Sequence, residues 1–169
     1  LGGGFYSTVN LTLNLTDVML AENLARSSGG ALYASGDPSI ITILASNFTT
    51  NTATGNGGAI NVNNSSTEVN ASTFSNNRAG SNASAILADN RIPALAETPT
   101  AFPPTPVSDG GGIYNQGSTL NLVNSTLSGN SATGNGGAIA NVGGTPPSPV
   151  SIDSSTIVNN SATGGGGIY

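Results

Sequence analysis

One short phrase recurs seven times along this 169-residue chain: small residues, usually glycines, followed by a large apolar residue. The large residues of successive phrases are separated by 27, 28, 26, 27, 26 and 29 positions. They are Phe5, Leu32, Ile60, Ile86, Ile113, Ile139 and Ile168. A near-constant period of this size indicates that each unit folds once and stacks on its neighbours. The sequence therefore predicts a solenoid with these residues in one buried column.

A second motif follows within the period: a bulky apolar residue, two small or polar residues, an asparagine, any residue and an alanine. The bulky positions are Leu20, Phe48, Phe74, Leu127 and Ile157. The asparagines are Asn23, Asn51, Asn77, Asn130 and Asn160. We predict that they form a structural ladder at a tight corner, where asparagine accepts left-handed geometry and satisfies backbone groups. A ladder of metal or sugar ligands is the alternative.

An alternating apolar pair precedes each bulky position by seven and five residues. The pairs are Leu13/Leu15, Ile41/Ile43, Thr67/Val69, Leu120/Leu122 and Val150/Ile152, and only Thr67 is polar. Alternation with a period of two is typical of a strand with one buried face, and no stretch has the 3.6-residue period of a helix. We predict an all-β parallel β-helix (solenoid), one domain over 1–169, with three strands per coil and about six coils of 26–29 residues.

Paired glycines precede most of the column residues and could suggest a phosphate-binding loop. Such a loop needs a helix after it and often a lysine. The chain has no lysine and no helical pattern. We therefore interpret the glycines as corners with positive φ.

The composition excludes several kinds of chemistry. The chain contains no cysteine and no histidine, so thiol nucleophiles, imidazole or thiolate metal sites, histidine-dependent triads and disulfides are excluded. Its eight carboxylates fall at unrelated places in the repeat, so we predict no catalytic residue, no metal site and no cofactor. A net charge of −5 with three arginines argues against nucleic-acid binding, and no stretch is long and apolar enough for membrane insertion.

One stretch, 89–109, lacks both the strand pair and the Asn-Ala motif and contains five prolines. The period across it, from Ile86 to Ile113, is still 27. We therefore interpret it as one coil with irregular sides rather than an insertion. It is either a tolerated surface loop or an interaction arm that lies on a neighbouring subunit. The candidate contacts of such an arm are Phe102, Pro103 and Pro104.

All four tyrosines directly follow a column residue, a position that alternation turns outward. They are Tyr6, Tyr33, Tyr114 and Tyr169. An exposed aromatic column can stack on sugar rings or on another protein. Ordinary cross-strand stacking is the alternative.

Gly-Gly-Ala-Ile at 57–60 and 136–139, with Phe-Thr-Thr-Asn at 48–51 and Phe-Ser-Asn-Asn at 74–77, resembles the GGA(I/L/V) and FxxN repeats of chlamydial polymorphic outer-membrane proteins. It is similar also to large bacterial surface proteins with right-handed β-helix repeats. The resemblance covers most of the chain outside 89–109. It implies a right-handed β-helix that is extracellular or at the cell surface, as an adhesin, stalk or matrix element.

Both ends of the chain enter in the middle of a repeat, and each has the same Gly-apolar-Tyr phrase. We expect a portion of something longer, or a subunit whose ends are covered by neighbours. The preferred hypothesis is a structural protein of a self-associating surface filament, whose partner is itself through end-to-end stacking of coils. The alternative is a slice of a long adhesin that binds glycans or another surface protein. A polysaccharide-degrading enzyme is the third candidate.

Overall fold

The computed structural model describes residues 3–80, 107–144 and 148–169, and these contain strands and turns but no helix. The strands form three parallel sheets, which confirms the all-β solenoid. The eight-stranded sheet comprises β1 (Phe5–Ser7), β2 (Thr12–Thr16), β5 (Leu32–Leu44), β8 (Ile60–Asn70), β11 (Ile113–Gln116), β12 (Thr119–Val123), β15 (Ile139–Val142) and β16 (Val150–Asp153). The five-stranded sheet comprises β3 (Met19–Ala21), β6 (Asn47–Thr49), β9 (Thr73–Ser75), β13 (Thr126–Ser128) and β17 (Thr156–Val158).

The four-stranded sheet comprises β4 (Leu24–Ala25), β7 (Thr52–Ala53), β10 (Arg78–Ala79) and β14 (Ser131–Ala132). These two-residue strands contain the alanine of the Asn-x-Ala motif, and they were not predicted. The long strands β5 and β8 turn a corner, so that each holds the column residue and the alternating pair of its coil.

The coil count differs from the prediction. Ile113 pairs directly with Ile60, and Leu127 pairs directly with Phe74, so no coil lies between them. Ile86 lies outside the described residues, but its predicted place between Ile60 and Ile113 is wrong. The five-stranded sheet contains four coil-to-coil steps, so the described chain makes about four turns rather than six. At about 4.8 Å per step, its outermost strands are about 19 Å apart along the axis.

The end of the predicted irregular stretch belongs to a coil. Ser108 is buried and donates its hydroxyl to the carbonyl oxygen of Thr54 at 3.2 Å. Gly80 and Ser108 occupy successive positions of one coil, because the next coil contacts them through the consecutive residues Thr133 and Gly134. Residues 81–107 are therefore an insertion between successive positions of that coil, and the prediction that 89–109 is one coil rather than an insertion is wrong. The candidate arm residues Phe102, Pro103 and Pro104 lie outside the described residues.

The core consists of apolar columns that run from coil to coil. Leu32, Ile60, Ile113 and Ile139 are fully buried in one of them. In the other, the rings of Phe48 and Phe74 stack with centroids 4.6 Å apart and planes 3° apart. Burial of each such side chain contributes roughly 1.5–3 kcal/mol, so most of the stability lies in contacts between neighbouring coils.

The five motif asparagines stack into a continuous hydrogen-bonded ladder. The Asn77 Oδ1 accepts two hydrogen bonds from Asn51, one from its backbone N–H at 2.9 Å and one from its Nδ2 at 3.0 Å. The Asn77 Nδ2 donates to Asn130 Oδ1 and to the carbonyl oxygen of Phe48, both at 2.9 Å. All four hydrogen-bonding sites of this buried amide are thus occupied. The same pattern joins Asn23 to Asn51 and Asn130 to Asn160.

The backbone geometry at the ladder differs from the expectation. The residue with positive φ is not the asparagine but the one before it. These residues are Glu22, Thr50, Asn76, Gly129 and Asn159, with φ between 55° and 64°. The left-handed residue turns the chain, and the asparagine that follows is free to point inward and bind the next coil.

A second ladder, of serines, lies at another corner. The Ser46 N–H donates to Ser72 Oγ at 3.1 Å, the Ser72 N–H to Ser125 Oγ at 3.2 Å, and the Ser125 N–H to Ser155 Oγ at 3.1 Å. Each hydroxyl in turn donates to the carbonyl oxygen two residues earlier. These hydroxyls satisfy buried corner groups that no strand pairs.

The glycine corners behave as predicted, with two separate roles. The first glycine of a pair has positive φ, as at Gly57 and Gly136. The second allows close contact between coils: a Cβ on Gly58 would lie 2.1 Å from the carbonyl oxygen of Gly111. No side chain fits there, so this position requires glycine for space rather than for φ.

We predict that Asn77→Ala destabilises the protein by roughly 3 kcal/mol or more, because it leaves buried donors and acceptors on both neighbouring coils without partners. Chemical denaturation measures the change. Asn47→Ala, which removes an exposed amide from the adjacent strand, is the matched control and should change stability by less than about 0.5 kcal/mol. Equal effects of the two substitutions would contradict the ladder.

Thr67 provides a test with the opposite sign. Its side chain packs between Ile41 and Leu120 in the core, and its hydroxyl has no hydrogen-bond partner in the structure. We predict that Thr67→Val raises the free energy of unfolding by about 1 kcal/mol, because it removes an unpaired buried hydroxyl at nearly constant volume. The exposed Thr119→Val on the neighbouring coil is the control. A destabilised Thr67→Val variant would show that the hydroxyl is bonded.

A polar groove at one corner of the solenoid

A concave surface follows one corner of the solenoid, where the first strand of each coil meets the second. It consists of two adjoining depressions of about 430 and 490 Å³, which share Asn64, Gly117 and Gly144. We call the first of them the corner groove. Its lining residues are Tyr33, Ser35, Asn63, Asn64, Gln116, Gly117, Gly143 and Gly144.

Missing side chains create the floor of the corner groove. Gly117 has φ of +59°, and a Cβ there would lie 2.6 Å from the Asn64 side-chain oxygen. Gly143 has open space around it, with no atom within 4 Å of where a Cβ would be. At the Ser35 side, the pairing of β5 with β8 shifts between Ser35 and Ser39, where β5 has extra residues. The depression extends across four neighbouring coils, two of which carry glycine at this corner.

The sides of the corner groove are amides and hydroxyls. Asn63 Nδ2 donates to the Oδ1 of the buried Asn61 at 2.8 Å, which fixes the orientation of the Asn63 amide. The backbone beneath is fixed too, because the Ser65 N–H donates to Ser118 Oγ at 2.9 Å. The Gln116 side chain is exposed above this floor. None of the lining residues is charged, and Asp37 lines the second depression only.

The tyrosines share one column of the sheet but not one exposed surface. Tyr6 and Tyr33 stack with ring centroids 5.1 Å apart and planes 17° apart. Asn61 separates Tyr33 from Tyr114, and Ala140 follows Tyr114. Tyr6 and Tyr169 are 48% and 59% exposed, whereas Tyr114 is only 7% exposed. Tyr114 is therefore not available on the outer surface expected for it.

Tyr114 lies instead against the loops that precede the strands. Burial raises the pKa of its phenol, the negative charge of Asp109 raises it further, and a hydrogen bond to the Asn56 side chain opposes both effects. Asp109 is itself part of a column, because its N–H donates to Asn56 Oδ1 at 2.9 Å and its Oδ1 accepts the N–H of Asn135 at 2.7 Å. Tyr114, Asn56, Asp109 and Asn135 thus join neighbouring coils, and none of them lines the corner groove.

The described residues bring no acidic cluster together. Within 3–80, 107–144 and 148–169, no group of three or more aspartates and glutamates lies close enough to hold a metal ion. Asp89 and Glu97 lie outside the described residues. The same ranges contain no helix with the length and apolar character needed to cross a membrane.

Comparison with known proteins identifies two relatives of the repeat. The family model described as Chlamydia polymorphic membrane protein (Chlamydia_PMP) repeat matches residues 124–142, which span the Leu127 and Asn130 motif and the glycine corner before Ile139. The "Probable autotransporter YfaL" of Escherichia coli (strain K12) is 40% identical over 83 residues. That match covers 46% of this chain and 7% of the relative, so the chain spans only a small part of the relative's length. No solved structure matches it significantly.

The family match agrees with the coil geometry, since residues 124–142 contain Asn130 of the ladder and Gly136 of the glycine corner. The two matches confirm the resemblance to bacterial surface proteins with β-helix repeats. They also confirm the extracellular or cell-surface location that the resemblance implies.

Proposed function

We propose that this chain is a rod-forming segment of a cell-surface protein, in which stacked coils set the distance between the parts on either side. The observation that carries the proposal is the equivalence of the coils. The column residues, the Asn ladder and the Ser ladder continue without change of register across the coil that contains the 81–107 insertion. Each coil therefore adds the same rise and the same contacts as the next.

The use of the side chains supports this role. Inward positions are filled by apolar columns and by amides and hydroxyls that bond to the next coil. Outward positions are mostly uncharged and polar, with charged residues only 7% of the chain. Such a surface keeps a rod in solution without requiring a particular partner along its length.

The proposal predicts that one coil can be removed. Deletion of residues 113–138 joins Gly112 to Ile139, which occupies the same position as Ile113 one coil later. We expect cooperative unfolding to persist, because Ile139 can then pair with Ile60. Deletion of 113–125, about half a coil, is the control and should abolish cooperative unfolding, since it joins positions from different sheets.

The change in rod length can be measured directly. The chain has no native cysteine, so Asn14→Cys and Ser151→Cys allow two spin labels on exposed positions of one outward column. Four coil steps separate these positions. Double electron–electron resonance between the two spin labels should report a separation of about 19 Å plus the length of the label linkers. The 113–138 deletion should shorten it by about 5 Å. An unchanged distance between the labels after the 113–138 deletion would contradict the proposal. So would equally cooperative unfolding of the two deletion variants.

End-to-end stacking of copies is a second candidate, favoured by the outermost described coils. Phe5 and Ile168 are 40% and 46% exposed at opposite ends of one column. The Asn160 N–H is in position to donate to a further asparagine of the same type, as the Asn130 N–H does to Asn160 Oδ1 at 2.8 Å. A coil from another copy would extend the sheets, and because this contact is heterologous, it would propagate into a filament.

Sedimentation velocity of the 169-residue chain tests this assembly. We expect concentration-dependent growth and fibres by electron microscopy, and Phe5→Lys should suppress both by placing a charge in the end-to-end contact. Val9→Lys, at a residue that is 69% exposed elsewhere on the first coil, is the matched control. A monomer at all concentrations would rule out filament formation by this chain.

A further inference from the structure

We propose that the corner groove is a binding site for a neutral oligosaccharide. The proposal goes beyond the rod-forming role and does not depend on it. It rests on the shape of the groove, on the kinds of group that line it, and on the aromatic pair at its edge.

The shape fits a short carbohydrate. The corner groove has a volume of about 430 Å³, within the range of small-molecule sites. Five of its eight lining residues lie on the hydrogen-bonded strands β5, β8 and β11, so most of the groove exists before a ligand binds. Preorganisation of this kind limits the entropy lost on binding.

The lining matches the chemistry of sugar hydroxyls. Each sugar hydroxyl both donates and accepts hydrogen bonds, and primary amides provide both functions in one group. Asn63 and Gln116 offer two amides on adjacent coils, and Ser35 offers a hydroxyl on the third. The Asn63 amide is already oriented by its bond to Asn61, which leaves its oxygen for a ligand.

An aromatic ring lies at the edge of the groove. Tyr33 is half-buried and lines the groove, and the Tyr6 ring stacks on it and restrains it. Aromatic rings provide apolar surface with a polar tip, which suits the C–H faces and hydroxyls of a pyranose. Tyr33 thus supplies the apolar contact that amides and hydroxyls alone lack.

The charge of the site indicates a neutral ligand. No charged side chain lines the corner groove, so an anionic sugar would lose hydration without gaining an ion pair. Nucleic acid is a poor fit for the same reason, because phosphate binding depends on lysine and arginine. The neighbouring Asp37, in the second depression, would repel anions further.

Titration of the isotope-labelled chain by NMR tests the site. The probes are maltotriose, cellotriose and triacetylchitotriose, with sialyllactose as the acidic comparison. We expect at least one neutral trisaccharide to shift the amide signals of Tyr33, Asn63 and Gln116 with a Kd on the order of 1 mM. Sialyllactose should bind at least about tenfold more weakly.

Gly143→Leu is the decisive variant, because Gly143 lines the groove and a Cβ there would have no protein atom within 4 Å. It should weaken binding at least about tenfold, whereas Thr156→Leu, at an exposed position of the five-stranded sheet, should leave it unchanged. If Gly143→Leu fails to fold, the exposed Gln116→Ala makes the same comparison. Absence of shifts with all three neutral sugars, preference for sialyllactose, or undiminished binding by the groove variants would each overturn the proposal. The deletion experiment on rod length would be unaffected by any of these results.

Discussion

The stacking of side-chain amides between coils is the interaction on which the rest of the structure depends. A solenoid corner leaves backbone donors and acceptors that no strand pairs, and each must find a partner. In this chain the asparagine of one coil donates both its backbone N–H and a side-chain amide hydrogen to the side-chain oxygen of the asparagine in the next coil. Its second amide hydrogen returns to the carbonyl oxygen of the preceding coil, as from Asn77 to Phe48. The ladder therefore fixes the register of both neighbours at once, and the apolar columns follow that register.

The same requirement explains why the outer surface is free to vary. Because the inward-facing side chains fix the register of the coils, the outward side chains are not needed to determine it. Thr, Ser, Asn and Glu all occur at these outward positions. The corner groove arises in this permissive layer, where Gly117 and Gly143 stand in coils next to others that carry Asn64 or a longer turn. A binding surface can thus form on the rod without any change to its core.

The sequence predicted those features whose residue types are rare or periodic. The buried columns follow from Leu, Ile and Phe at intervals of 26–29 residues, and the asparagines stand out by their alanine two positions later. The Ser ladder was missed because serine is abundant, so Ser72 and Ser125 look like any other corner residues. The left-handed positions were missed because Glu22, Thr50 and Asn76 share no side-chain character. The burial of Tyr114 was missed because its neighbours Asn56 and Asp109 lie in loops. The alternation of apolar and polar residues along a strand does not predict contacts with loops. The extra coil was predicted because the spacing from Ile86 to Ile113 equals one period by coincidence.

The position of the insertion has a consequence for how such proteins change. Gly80 and Ser108 are neighbours within one coil although 27 residues separate them in sequence. Entry and exit are therefore side by side at a single corner, and extra sequence can be added there without altering the pairing of the coils above and below. Evolution can graft a loop or an entire domain at such a junction, and an engineer can do the same. A structural rod of this type is thereby also a scaffold, on which new surfaces can be acquired one corner at a time.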